Sequence, residues 1–111
     1  MKKITRAIHQ PYKRRDAYDA LSMPVYNAVA YEFDNAQTMS DVFCGRIAAP
    51  DYSRVSNPTV ENFEHRVKGI TGATDVIAFN SGMAAISAVF IALAEQGKNI
   101  VSSHHMFGNT Y

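Results

Sequence analysis

A phenol and a guanidinium stand two residues apart at Tyr52 and Arg54, and Asn57-Pro58-Thr59 follows after Val55 and Ser56. A second cluster, Ser81-Gly82-Met83, lies between two apolar stretches. Arginine carries a forked, permanently charged set of N–H donors matched to phosphate oxygens, and the Tyr52 hydroxyl can donate to the same group. At the second cluster, a strand feeding a helix through a tight turn leaves the first backbone N–H groups without internal acceptors. The helix dipole favours an anion at that point. Gly82 lets an oxygen approach the backbone closely, and Ser81 adds a hydroxyl donor. Both clusters can hold a phosphate, and together they point to a phosphorylated cofactor rather than to nucleic acid or membrane. The same residues also suit a plain strand-to-helix turn capped by Ser81, and a surface loop in which Tyr52 packs and Arg54 is solvated. Such features are common in α/β proteins of many functions.

The elements that must position these clusters are clearest in the second half of the chain. Asn57 suits an N-cap, Pro58 the first helical position and Glu61 the first turn. Val60, Phe63, Val67 and Ile70 recur at helical spacing, with Gly72 near the end. Val76 to Phe79 is a short buried-strand candidate. Met83, Ile86, Val89, Phe90 and Leu93 mark a second apolar helix with Gly97 just past its end, and Ile100-Val101 reads as the next strand. A turn begins at Gly108-Asn109. The first half is less regular. Residues 1–33 read as an extended arm broken by Pro11 and Pro24, with one helical turn around Asp16 to Leu21, and an arm of this kind needs another surface to lie on. Asp34 or Asn35 caps a short helix that ends near Cys44 and is stopped by Gly45. Arg46 to Ser56 reads as a loop.

The chain has 111 residues, 47% of them apolar, enough for one modest domain with some core. The alternation of helix and strand patterns indicates α/β packing. A net charge of +1 offers no general field for nucleic acid or anionic lipid, and Lys13, Arg14 and Arg15 form only a short basic run. The single cysteine, Cys44, excludes an intramolecular disulfide and fits a reducing compartment. Met1-Lys2-Lys3 lacks the apolar run a signal peptide needs, and Asn80, Ser81 and Gly82 interrupt the apolar stretch from Val76 to Ala94. The chain therefore reads as cytoplasmic. On a strand, adjacent His104 and His105 would point to opposite faces, and His9 and His65 have no ligand partners nearby in sequence, so no metal site is expected. There is no dinucleotide fingerprint, Walker loop or nucleophile elbow.

Taken in order, the run Tyr52-Ser53-Arg54-Val55-Ser56-Asn57-Pro58-Thr59, then Ser81-Gly82-Met83-Ala84-Ala85-Ile86, then Phe107-Gly108-Asn109-Thr110-Tyr111, closely resembles the cystathionine γ-synthase family. These are pyridoxal-phosphate enzymes of Cys and Met metabolism, among them O-acetylhomoserine sulfhydrylases and methionine γ-lyases. Thr5 to His9 and Pro24-Val25-Tyr26 resemble that family's N-terminal arm, so the likeness runs through essentially the whole chain. The resemblance implies pyridoxal 5'-phosphate as cofactor, with Gly82 and Met83 offering backbone N–H groups to its phosphate and Ser81 beside them. It implies that Tyr52 and Arg54 reach the phosphate of a neighbouring subunit, in a homodimer that shares its active sites and assembles to a tetramer. The aromatic position before Gly108 would stack on the pyridine ring. Most relatives have Tyr there, whereas this chain has Phe107. Stacking survives that change, but any acid–base role of a hydroxyl does not.

The resemblance further implies the N-terminal arm and first part of a fold type I large domain, incomplete in this chain. Residues 1–56 would form the arm and inter-subunit loop, and residues 57–111 the start of the α/β cofactor-binding domain. The family's Schiff-base lysine sits in a Ser-x-Thr-Lys context, which none of Lys2, Lys3, Lys13, Lys68 and Lys98 has. No catalytic residue is therefore expected here, and the chain alone should be inactive. The activity implied for the longer enzyme is γ-replacement on an O-acylated homoserine, an amino-acid substrate, with O-acetylhomoserine sulfhydrylase favoured. Cystathionine γ-synthase and methionine γ-lyase are the alternatives within the family, and a non-catalytic assembly fragment the alternative outside it. Asn109 stands where methionine γ-lyases typically have a cysteine.

Overall fold

A computed structural model describes residues 2–9 and 16–110. Among these residues four α-helices follow one another: α1 (Lys3–His9), α2 (Ala36–Phe43), α3 (Pro58–Thr71) and α4 (Gly82–Leu93), with a 3-10 turn at Gly108–Thr110. The chain divides into two compact units, one running to Ile77 and the other starting at Ala78.

In the first unit, α1 packs against α3. The contact is polar at its centre. Arg66 on α3 donates from Nη1 to the carbonyls of Ala7 (2.7 Å) and Ile8 (3.3 Å), and its Nε donates to Asn62 Oδ1 at 2.8 Å. A guanidinium on the last carbonyls of a helix satisfies orphan acceptors and complements the dipole. The arm was expected to be extended over this region, and α1 corrects that expectation. Its apolar residues gave no sign of it, because Ile4 and Ile8 are both well exposed and Arg66 makes the contact. Between Asp16 and Asp19 the expected helical turn is a single hydrogen-bonded turn (Asp19 N–H to Asp16 O, 3.0 Å).

Helices α2 and α3 begin and end on the residues their sequences indicate. Asn35 Oδ1 accepts from Thr38 N–H at 2.8 Å, and α2 stops at Cys44 with Gly45 at φ 71°. Asn57 caps α3, Pro58 opens it, and Gly72 closes it at φ 75° while donating to Lys68 O. The stripe expected on α3 is present, but Val60 and Phe63 are exposed; its buried residues are Pro58 and Asn62. Val42 on α2 and Pro58 are the buried apolar side chains among the described residues.

The second unit holds α4, apolar around its whole circumference and capped by Ser81, whose Oγ accepts from Ala84 N–H at 3.1 Å. It ends at Ala94, and Gly97 (φ 81°) belongs to a separate turn closed by Lys98 N–H to Glu95 O. Neither Val76 to Phe79 nor Ile100-Val101 forms a strand. A ladder needs a second backbone beside it, and among the described residues the only strand-type pairing is the isolated bridge Ala30 to Tyr52. With that partner absent, an apolar run has the composition of a strand without its hydrogen bonds.

Candidate functional site

Tyr52 and Arg54 sit on the loop between α2 and α3, in the first unit. The bridge to the arm fixes the start of this loop: Tyr31 N–H donates to Asp51 O at 3.2 Å, and Ser53 N–H to Val29 O at 2.9 Å. Two further bonds, Val55 N–H and Ser56 N–H to Tyr52 O (2.8 and 2.9 Å), wind the chain into a turn. That turn carries the Arg54 guanidinium over the Tyr52 ring, 5.0 Å from its centroid. Both side chains are exposed, and no ion pair found among the described residues uses Arg54. The arrangement is a charged fork steadied by an aromatic face.

Asp51 anchors the loop from below. Its Oδ1 accepts from Ser56 Oγ at 2.8 Å and from Tyr52 N–H at 2.7 Å. The Ser56 hydroxyl first, and the Tyr52 N–H second, hold its carboxyl below the ordinary range. In the arm, Tyr26 donates its hydroxyl to Asp16 Oδ1 at 2.6 Å. That bond lowers the Asp16 carboxyl and raises the Tyr26 phenol.

Asn57 is the residue whose importance the sequence understates. It is 92% buried and uses its whole amide. Oδ1 accepts from Thr59 N–H (2.9 Å) and Val60 N–H (3.4 Å) as the α3 cap. Nδ2 reaches Tyr26 O (2.9 Å), Ser53 Oγ (2.9 Å) and Tyr31 OH (3.2 Å). Thr59 adds a second tie to the arm, accepting from Tyr26 N–H at 2.8 Å and donating to Pro24 O at 3.0 Å. Asn-Pro-Thr at a helix start signals a cap; only the fold shows that the same side chains bind the arm.

Ser81, Gly82, Met83 and Phe107 come together in the second unit. They line an open hollow of about 440 Å³ with Ile86, Asn109 and Thr110. Ala84 N–H is taken by Ser81 Oγ and Ala85 N–H by Ser81 O (3.1 Å). As the first two residues of α4, Gly82 and Met83 have N–H groups that no helical carbonyl accepts. A Cβ at Gly82 would meet nothing within 4 Å, so the glycine leaves this approach open. Phe107 stands 80% exposed just before the 3-10 turn, where Thr110 N–H donates to Phe107 O at 2.7 Å. The hollow thus pairs anion donors with a flat aromatic face, the two things a phosphorylated heteroaromatic ring requires.

The histidine expectation needs one correction. His104 and His105 lie side by side with ring centroids 4.0 Å apart, not on opposite faces, because their segment is not a strand. Among the described residues no group of three or more His, Cys, Asp or Glu is placed to hold a metal ion. No described helix is long and apolar enough to cross a membrane.

The family model described as Cys/Met metabolism PLP-dependent enzyme matches residues 4–111. An O-acetyl-L-homoserine sulfhydrylase of Corynebacterium glutamicum is 36% identical over 106 residues, which cover 96% of this chain and 24% of the relative. An L-methionine gamma-lyase of Pseudomonas putida is 34% identical over 107 residues, 96% of this chain and 27% of the relative. Among solved structures, a protein of Campylobacter jejuni assigned as an O-acetylhomoserine (thiol)-lyase superposes with a TM-score of 0.87 at 34% identity. The match covers 99% of this chain and 27% of that one, whose pyridoxyl phosphate is carried on a lysine. The chain therefore spans about a quarter of the length of these relatives.

Proposed function

The chain belongs to the Cys/Met metabolism pyridoxal-phosphate-dependent enzymes, and from that premise we propose that it is the N-terminal part of an O-acetylhomoserine sulfhydrylase. The fold is the N-terminal portion of a fold type I enzyme of that family. The full protein would replace acetate on O-acetylhomoserine with sulfide or a thiol, in the cytoplasm, as a homodimer with shared sites or a tetramer of such dimers. The observation that carries this reading is the hollow at the start of α4, where free N–H donors and Phe107 face the same space.

The residues present fit the cofactor. Gly82 and Met83 N–H groups, with the Ser81 hydroxyl, would hold the phosphate at the positive end of α4. Phe107 would lie against the ring and keep water from that face. Tyr52 and Arg54 would grip the phosphate from a second subunit, Arg54 through charge-assisted hydrogen bonds. When bound, pyridoxal phosphate supplies the electron sink for the substrate carbon chemistry. None of the chain's five lysines lies in a Ser-x-Thr-Lys segment, so these 111 residues alone would not turn over substrate.

Phe107 supports one reading over another among relatives that identity does not separate, at 36% and 34%. A phenylalanine cannot deliver a proton to a departing group. Acetate is a weakly basic leaving group and departs without one; methanethiolate is more basic and needs more help. The residue therefore favours the ester over methionine. Steady-state assays of the full-length enzyme should compare sulfide, methanethiol and cysteine as acceptors with O-acetylhomoserine, alongside methionine breakdown. Efficient release of methanethiol from methionine with weak use of the ester would overturn the assignment. Cysteine as the preferred acceptor would instead indicate cystathionine γ-synthase.

A further inference from the structure

We propose that Asn57 is a positioning residue for Tyr52 and Arg54, holding their loop in register through its amide N–H groups while its oxygen caps α3. As a cap alone, asparagine is replaceable: serine and aspartate serve equally well. What neither supplies is a donor on the far side of the same short side chain. Here that donor is used fully. The Oδ1 bonds to Thr59 and Val60 fix which way the amide faces, so Nδ2 must face Tyr26 O and Ser53 Oγ. Ser53 donates its own proton to Ala28 O, which leaves its oxygen free to accept from Asn57. Tyr31 OH, 3.3 Å from Ser53 Oγ, then donates to that same oxygen.

Ser53 lies between Tyr52 and Arg54, so a bond to it sets where both side chains leave the backbone. Through Tyr26 the amide also ties down the arm, whose Val29 carbonyl receives Ser53 N–H. One buried side chain thereby joins helix, arm and loop. With the donor removed, Tyr26 O and Ser53 Oγ lose a partner and the loop can open while α3 stays capped. The cofactor part of this inference rests on the reading that Tyr52 and Arg54 grip a phosphate; the loop part does not.

Asn57→Asp and Asn57→Ser in the full-length protein separate the two halves of the side chain. Both keep an N-cap acceptor and lose the donor, and the serine variant removes any effect of added charge. Amide hydrogen exchange of the cofactor-free protein is the first readout. Ser53, Val55 and Ser56 amides should exchange at least about tenfold faster in both variants, with Thr59 and Val60 still protected. Affinity for pyridoxal 5'-phosphate is the second, measured beside Arg54→Ala. Each Asn57 variant should bind about five- to tenfold more weakly. Combined with Arg54→Ala it should add little further loss, because both act through one contact. Unchanged exchange in the loop overturns the positioning role outright. Faster exchange with intact affinity in the Asn57 variants, while Arg54→Ala weakens binding, overturns its link to the cofactor. Intact affinity in all three, Arg54→Ala included, overturns instead the phosphate role of Arg54.

Discussion

A guanidinium already stacked on an aromatic ring, as Arg54 is at 5.0 Å from the Tyr52 centroid, loses little side-chain freedom when it meets an anion. Replacing Arg54 with Ala should weaken cofactor retention by about 1.5–3 kcal/mol, the range for a hydrogen bond to a charged group. Equilibrium dialysis of the full-length protein against pyridoxal 5'-phosphate measures it, and unchanged retention would refute a phosphate role for this side chain. Phe107 supports a prediction of opposite sign. Phe107→Tyr returns a hydroxyl to the exposed aromatic face of the hollow. Release of methanethiol from methionine should rise by about tenfold or more, as a positioned general acid gives at least that. Turnover of O-acetylhomoserine should change much less. That these side chains could serve such roles was legible before any fold, since donors and rings keep their chemistry wherever they are placed. What Asn57 does was not. A sequence shows that an asparagine can cap, but its second partner set lies 31 residues away at Tyr26, and nothing local announces it.

At the level of elements, one carboxylate is among the anchors of the loop from Arg46 to Ser56. Asp51 is held below the ordinary range by the Ser56 hydroxyl first and the Tyr52 N–H second. A carboxyl lowered in the fold adds stability that is present above its unfolded value, about 3.9, and is lost as pH falls through the folded value. Ser56→Ala removes the larger cause, so the Asp51 titration should move up toward the ordinary value and the loop should open at higher pH. Following the Tyr52 amide by NMR during an acid titration checks both. Gly72 makes the second case. Its left-handed φ of 75° closes α3, and a Cβ there would meet nothing within 4 Å. Gly72→Ala should thus cost only the conformational penalty, about 1–2 kcal/mol in denaturant unfolding. Caps and stops of α2 and α3 were readable because each is written in two or three adjacent residues. Helix α1 and the expected strands were not, because Arg66 acts from far away in sequence and, among the described residues, neither apolar run has a ladder partner.

For the whole molecule, the proposal that each site draws on two subunits has a direct consequence. Subunits carrying Arg54→Ala, mixed with subunits lacking the pyridoxyl-bearing lysine, should regain activity, because one hybrid site carries neither defect. Mixed dimers that form but stay inactive would count against shared sites. For the 111-residue chain, borohydride reduction with cofactor should mark no single lysine; stoichiometric labelling of one would reveal a catalytic lysine that its sequence context conceals. Helix α4 adds a consequence of another kind. Its Ile91 and Leu93 are 84% and 78% exposed on a helix with no polar face. Helices of that composition normally end up covered on all sides. During synthesis of a protein the length of its relatives, about three quarters of the chain would still be untranslated as α4 leaves the ribosome, for on the order of half a minute at ordinary elongation rates. Throughout that interval it offers a ready target to holdase chaperones and to other nascent chains. The helix proposed to present the phosphate donors is thus also a stretch through which biogenesis of the full protein is open to aggregation.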